Sequence, residues 1–453
     1  MFIRKDVYKM AVPVFTEQLF TMSMGVLNTI IASGIGKEAL SAIGTVDSFN
    51  NIIIFFFNSL AVGGTVVVAQ FMGQRNINDA REAAKQAIFS GVIISSIATL
   101  IIWLFKDLIL LFFFGGAEKE VISYSITYFS ITLLTYPLIA FSFVASGILR
   151  SSGHQDKPMK INIIINIINI VLSYFFIYGL SVENVHMNIS IQGMGVKGAA
   201  IALSVARLAG TLLFMYALLE KSERISFKSI REFKINIPMQ KSILNVGFPA
   251  GIESFVFNIG KFVQQIFIIT LGTVSIAANT IAWSIFGVLI IPGTACCIVA
   301  TTMVGNFIGM GDHEEAKRIH IYLVKLATVF KMIISLLVFP LATVIASIYS
   351  NDPDVVKLTS EIIRINAIAI PILWPMSFII PSGLRGAGDS KFAMVVSIAS
   401  LWFFRVFIGY LFSITMNFGI TGLWMAMYFD WITRGIIFYW RLNSGKWKEK
   451  IVV

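Results

Sequence analysis

Two stretches decide how this chain folds: PVFTEQLFTMSMGVLNTIIASGIGKEALSA, residues 13–42, and PAGIESFVFNIGKFVQQIFIITLGTVSIAA, residues 249–278. A shift of 236 residues lays Pro13 on Pro249, Glu17 on Glu253, Gly36 on Gly272 and Ala42 on Ala278. It also carries Thr65 onto Thr301, Phe71 onto Phe307, Gly73 onto Gly309 and Ala80 onto Ala316. After one gapped residue, Leu149, Arg150 and Gly153 fall on Leu384, Arg385 and Gly388. The chain is therefore a duplicated half, and each half keeps a carboxylate at the same place in apolar surroundings.

The setting of those carboxylates follows from composition. The 453 residues are 57% hydrophobic and 13% charged, with a mean hydropathy of +0.83, against about 25% charged residues in ordinary soluble domains. Apolar runs of 20 or more residues recur, long enough at about 1.5 Å per residue to cross a hydrocarbon core. Twelve such runs are counted, near 8–33, 42–72, 80–105, 121–149, 161–181, 195–219, 243–270, 276–308, 318–347, 358–384, 391–414 and 419–440. Lipid satisfies no open backbone group and the runs are too long for barrel strands, so helix is the expected state throughout.

Charge placement orients the chain. Arg4, Lys5 and Lys9, Arg75, Arg81 and Lys85, Arg150, Lys157 and Lys160, the segment Lys221 to Lys241, Lys317 and Arg318, and the tail from Arg441 occupy alternate connections. The positive-inside rule puts these connections and both termini in the cytoplasm, which needs an even number of spans. The net charge of +11 thus reads as topology, and nucleic acid is not an expected partner. No cleavable signal peptide is recognised, because the apolar run after Met10 flows into the first span.

The expected fold is an all-α integral membrane protein in the cell (inner) membrane, with twelve transmembrane helices in two six-helix bundles. Residues 1–220 form the first bundle, 221–241 a basic cytoplasmic linker and 242–453 the second. Six spans per half is even, so the repeats share one orientation and a pseudo-two-fold axis runs along the membrane normal, with a cleft between the halves near the midplane.

Ionisable groups inside spans are costly and are functional candidates by default. Glu17, Thr21, Met24 and Asn28 recur at spacings of four, three and four, one stripe of a helix. Glu17 stands about 15 Å beyond the cytoplasmic start of its helix by the helical rise, near mid-bilayer. Glu253 has the matching depth, with Asn258, Lys261, Gln264 and Gln265 further along, and Asn28 is equivalent to Gln264. A desolvated carboxylate can take up a proton on one side and release it on the other, so Glu17 and Glu253 are the leading ion-coupling candidates; a purely structural role beside Pro13 and Pro249 is the competing reading. Lys261 either neutralises a carboxylate or snorkels outward. Asp47 opens the second span beside Ser48, Asn50 and Asn51, as a helix cap or as part of a site. Trp283 and Trp374 suit organic cations through cation–π contact, or pack in the core. Arg207, Arg405, Asp430 and Arg434 read as interhelical ion pairs or interfacial anchors. Prolines at 13, 137, 249, 292, 371, 375 and 381 fall inside spans, where bends accompany moving or cavity-lining helices.

Other chemistry is missing from the sequence. There is no GxxxxGK phosphate loop, the four histidines have no metal-ligand spacing, and Cys296 and Cys297, being adjacent, read as packing. Asp352-Pro353-Asp354 reads as a turn or cap rather than a metal-diphosphate site, and Asn188-Ile189-Ser190 is a sequon match of the kind that arises by chance. Neither an enzyme nor a resident cofactor or metal is expected. A prenyl-group transferase would need paired acidic motifs, which do not occur, and a passive channel would need a filter-like repeat.

Several segments together resemble the multidrug and toxic compound extrusion (MATE) family of cation-coupled efflux transporters across nearly the whole chain. They are residues 12–51, GGTVVVAQFMGQRNINDA (63–80) with its echo GNFIGMGDHEEA (305–316), GILRSSG (147–153) with GLRGAGDS (383–390), NIVLSYFFIYG (169–179) and GMGVKGAAIALSVAR (193–207). The resemblance implies two six-helix bundles forming a V-shaped cavity, and export of amphipathic, often cationic compounds against H+ or Na+ entry. It also marks departures. Family members usually carry aspartate where Asn28 stands; Asn169 matches a family asparagine, but the aspartate often found four residues later is Ser173; and no tenth-helix aspartate is found around Trp374. Ion coupling is therefore expected to rest on Glu17, Glu253 and Asp47, with Asn28 and Asn169 beside them. Thr21, Met24, Asn51, Asn258, Lys261, Gln264, Trp283 and Trp374 are the substrate-binding candidates. H+ is favoured over Na+, since loss of aspartates weakens an oxygen-rich Na+ site. A monomer is expected, with small-molecule substrates and the lipid bilayer as partners. The alternative within transport is a lipid-linked precursor flippase or specific-metabolite exporter, whose sign would be a strongly cationic cavity.

Overall fold

The computed structural model describes residues 4–114, 118–184, 187–220, 233–450 and 452–453. Most of the basic linker, 221–232, lies outside the described residues. The chain is helical almost throughout: α1 (Arg4–Ser33), α2 (Lys37–Gly73), α3 (Ile77–Leu104), α4 (Lys106–Phe114), α5 (Lys119–Leu133), α6 (Tyr136–Ser151), α7 (Asp156–Tyr178), α8 (Gly195–Leu219), α9 (Ile237–Thr270), α10 (Thr273–Gly309), α11 (His313–Tyr349), α12 (Pro353–Gly386), α13 (Ser390–Ser400) and α14 (Gly419–Ser444). After Ser400 the helix of α13 continues in wide π-helical turns over Leu401–Ile408 and Leu411–Thr415. The apolar runs are helical, as expected, and one short extended element stands between two of them. Between α7 and α8 the backbone forms an antiparallel hairpin, β1 (Gly179–Asn184) with β2 (Met187–Gln192), paired from Gly179–Gln192 to Asn184–Met187. It begins where Gly179 leaves the helix at φ +82°.

Among the described residues ten helices are long and apolar enough to cross a membrane, eleven if the bent pair α5 and α6 is one span. That pair turns by 47° just ahead of Pro137, which has no N–H to continue the ladder and sits in the first turn of α6. The twelfth expected span is the 26-residue α14, which fails on apolarity because it carries Asp430, Arg434 and Arg441. Large aliphatic side chains face outward, Leu336 at 77% and Ile348 at 76% exposure on α11. Such a surface suits hydrocarbon, not water.

Packing divides the chain into two compact units. One comprises Thr16–Val68 and Ile77–Lys241, the other Met1–Phe15, Ala69–Asn76 and Ser242–Val453. The first has a core around Phe57, Phe129, Leu133 and Tyr136. Phe233, at the start of the linker's described part, lies against Phe89 with ring centroids 5.1 Å apart, and Gln86 donates to Lys234 O at 2.6 Å. The second unit has a core of α10, α11, α12 and α14, rich in Trp374, Trp424, Trp431 and Trp447.

The duplication is written in the backbone. Gly153 and Gly388, equivalent by sequence, both take φ +96°, a left-handed turn that a side chain resists. In the second unit two other equivalent residues touch: a Cβ on Gly73 would strike Asn306 O, and one on Gly309 would strike Gln70 O. The ends of α2 and α10 thus cross backbone to backbone, as small residues permit.

Candidate functional site

The repeated glutamates are paired with the repeated arginines. Arg150 Nη2 donates to Glu17 Oε1 at 2.7 Å and Oε2 at 2.8 Å, and Arg385 Nη2 donates to both oxygens of Glu253 at 2.7 Å. Asn162 Nδ2 adds a third bond to Glu17, at 2.7 Å. All four charged side chains are largely buried. Arg150 and Arg385 stand in the last turns of α6 and α12, so each pair lies at the level where those helices end.

The polar residues beyond Glu17 converge instead on a cavity of about 430 Å³ in the first unit. Thr21 and Asn28 from α1, Asp47 and Asn51 from α2, Asn169 from α7 and Arg207 from α8 face it. Helical spacing explains the meeting: α7 presents Asn162, Asn166, Asn169 and Ser173 at spacings of four, three and four, a stripe like that of α1. Ser173 Oγ donates to Asn169 Oδ1 at 3.4 Å, while Asn28 Oδ1 is buried without a partner. Met24 does not reach the cavity wall.

Asp47 is ten residues inside α2, so the cap reading is corrected. Among the described residues it is the cavity's one carboxylate. Tyr128 Oη donates to its Oδ2 at 3.4 Å and Asn50 Nδ2 to its Oδ1 at 3.5 Å. Asn50 is held in turn by Tyr136 Oη, which donates to its Oδ1 at 2.7 Å. Arg207 is close enough to act electrostatically on Asp47, but its Nη1 donates to Thr135 Oγ1 at 2.7 Å; among the described residues neither side chain forms a salt bridge. Tyr128 and Tyr136 are missing from the sequence-derived candidates because tyrosine within an apolar run signals neither charge nor motif, and Asn50 is marked there only as a neighbour of Asp47.

The second unit holds a cavity of about 360 Å³ walled by Lys261, Gln264, Gln265, Asn279, Trp283 and Trp424, among others. The 236-residue shift maps Lys261, Gln264, Gln265, Asn279 and Trp283 onto Gly25, Asn28, Thr29, Ile43 and Asp47, all of which line the first cavity. The two cavities are the same place in the two repeats with different chemistry. Lys261 neutralises no carboxylate among the described residues; its Nζ lies 5.1 Å from the Trp283 ring centroid and 5.7 Å from that of Phe257. Asn258 turns away and donates to Ser254 O at 2.8 Å.

Arg405, Asp430 and Arg434 form a fully buried network, as the ion-pair reading expects. Arg405 Nε donates to Asp430 Oδ2 at 2.7 Å, Ser400 Oγ to Oδ1 at 2.6 Å, and Arg434 Nη1 is 3.8 Å from Oδ2. The wide turns around Arg405 are of the kind that recur at functional sites.

Trp374 has an unforeseen cation. It is 3% exposed, stacked on Phe378 at 4.5 Å, and lines no described cavity; Lys331 Nζ sits 3.2 Å from its ring centroid. Lys331 is 0% exposed and its Nζ has no hydrogen-bond partner among the described residues. A single lysine in the run ATVFKMIISLL, residues 327–337, gives no sequence signal of this. Cys296 and Cys297 are free thiols nearby. Asp352 caps α12, accepting from Asp354 N at 2.9 Å, ahead of Pro353.

Comparison with known proteins bears on what these cavities do. The family model MatE matches residues 13–175 and 249–411, one copy per half. A probable multidrug resistance protein NorM of Thermotoga maritima is 26% identical over 455 residues, covering 100% of this chain and 94% of the relative. An uncharacterized transporter, YisQ, of Bacillus subtilis is 26% identical over 445 residues, covering 98% and 95%. An outward-facing structure of a multidrug resistance MATE family transporter of the MOP superfamily superimposes with a TM-score of 0.88 at 23% identity, over 98% of this chain and 96% of that one. A crystal structure of MATE in the bent conformation gives 0.87 at 23% identity, over 97% and 96%.

Proposed function

Because the chain belongs to the MatE family, as the match over both halves shows, we propose that it exports organic solutes by antiport against H+ or Na+. The cell membrane is its place, with both termini cytoplasmic by the basic connections. It works as a monomer without a resident cofactor, two bundles (1–220 and 242–453) rocking to expose the cavities alternately. The naming of the Thermotoga maritima relative for multidrug resistance supports a broad range of amphipathic, often cationic compounds.

The single observation that carries the coupling is Asp47, a carboxylate on the wall of a cavity with no salt bridge to quench it. H+ or Na+ binding there competes with an organic cation for the same negative charge, and an ion that binds one access state better than the other drives the exchange. Tyr128 and Asn50 hold the carboxylate in place while it exchanges partners. Glu17 and Glu253, each held by an arginine, make and break with the rocking: an ion on the glutamate frees the arginine. The flippase alternative has less support, since among the described residues Lys261 is the only charge lining the second cavity, short of what a diphosphate needs.

Export of ethidium from reconstituted vesicles tests the proposal, with a pH gradient and a Na+ gradient imposed separately. Transport driven by one of them supports antiport and names the ion; equal, passive leak under both refutes it.

A further inference from the structure

We propose that the second unit's cavity around Lys261 is a binding site for an organic anion, a singly charged aromatic acid such as an aryl carboxylate. The inference deepens the transport reading by giving one of the two cavities its own ligand class.

Divergence between the repeats inverts the charge. Where the first cavity has Gly25 and Asp47, the second has Lys261 and Trp283, so an acid is lost and an amine gained at one and the same place. No carboxylate lines this cavity. Asp430 is engaged by Arg405 and Arg434, so with Lys261 this group holds three cations against one acid. The charged group that acts on Lys261 is Arg405, another cation. A cationic ligand would meet this excess at low dielectric, whereas a carboxylate relieves it.

The walls offer donors. The Lys261 ammonium has three N–H groups and contacts only ring faces, which accept none of them fully. The carboxamides of Gln265 and Asn279 and the indole N–H groups of Trp283 and Trp424 make no hydrogen bond among the described residues. Asn279 is 5% exposed, so its open amide is a built feature and not a surface accident. The two indoles, with centroids 5.4 Å apart, supply the apolar wall that selects an aromatic body. About 360 Å³ falls in the range of small-ligand sites, about 300–1,000 Å³.

Isothermal titration of the full-length protein in nanodiscs tests this with three probes of one shape: 1-naphthylacetate, 2-(1-naphthyl)ethanol and 2-(1-naphthyl)ethylammonium. The carboxylate is expected to bind about tenfold or more tighter than the other two, the worth of one charge-assisted hydrogen bond. Lys261→Met abolishes that preference and Lys261→Arg keeps it. Equal or tighter binding of the ammonium, binding of none of the three, or a preference that survives Lys261→Met would overturn the proposal. If Lys261→Met fails to fold, Lys261→Gln replaces it, and the ranking of probes on the unaltered protein decides by itself. No gradient is used, so a protein that binds the carboxylate but transports nothing refutes antiport alone, and one that transports ethidium but prefers the ammonium here refutes only this site.

Discussion

Glu17 and Arg150, 133 residues apart in the chain, form an ion pair in which one guanidinium nitrogen grips both carboxylate oxygens, at 2.7 and 2.8 Å. The grip recurs between Glu253 and Arg385, and in both arginines Nε is buried without a partner. The second repeat has thus kept a geometry, not only two residue types. Removing one partner of a buried pair leaves a charge uncompensated, at about 3–5 kcal/mol. Glu17→Gln is expected to lower the thermal midpoint clearly, and Glu17→Gln with Arg150→Gln to lower it less than the sum of the singles. Additive losses in that double-mutant cycle would show that the pair is not coupled.

The close crossing of α2 and α10 predicts intolerance at Gly309. Leucine there would push a side chain into Gln70 O, backbone that cannot rotate away, so Gly309→Leu should cost at least about 1–3 kcal/mol. At Gly25 a Cβ would meet nothing within 4 Å, so alanine should be accepted there without loss. Comparing the yields and melting curves of the two variants checks this.

Lys331 leads to the opposite expectation. A buried amine without hydrogen bonds is costly whether it keeps its charge or sheds its proton, and its contact with Trp374, worth about 2 kcal/mol at most when desolvated, does not offset that cost. Lys331→Met should leave the melting temperature unchanged or raise it, with transport retained. A collapse of either would mean that the charge is in use.

Tyr136 braces Asn50, and Asn50 braces Asp47. Tyr136→Phe leaves a buried amide oxygen unsatisfied and should destabilise the protein by about 1–3 kcal/mol, measurable by thermal unfolding in detergent.

How much of the molecule is legible in its sequence follows the physics of each signal. Hydropathy and repeat register carry over long distances, so the helices, the duplication and the special standing of Glu17 and Glu253 can be read directly. Arg150 and Arg385 are also visible as repeats, but nothing in a sequence says that a residue at the end of α6 reaches one in α1. Asp47 reads as a cap because helix ends are poorly marked: α2 begins at Lys37, ahead of the apolar run, which turns a supposed cap into a mid-helix cavity residue. Trp374 can be read as a partner for a cation but Lys331 looks ordinary, and their contact exists only in the fold. The hairpin at 179–192 escapes notice because a short segment between apolar runs gives too little periodicity to read.

The most direct test of coupling compares gradient-driven export of ethidium by vesicles containing the unaltered protein and Asp47→Asn, which preserves size and the bonds from Tyr128 and Asn50 in outline. The expected result is a folded Asp47→Asn protein whose transport no longer responds to either gradient, a loss of at least about tenfold in initial rate, equivalent to about 1.4 kcal/mol of coupling. Full gradient-driven transport by Asp47→Asn would contradict the assignment and return the coupling role to Glu17 and Glu253.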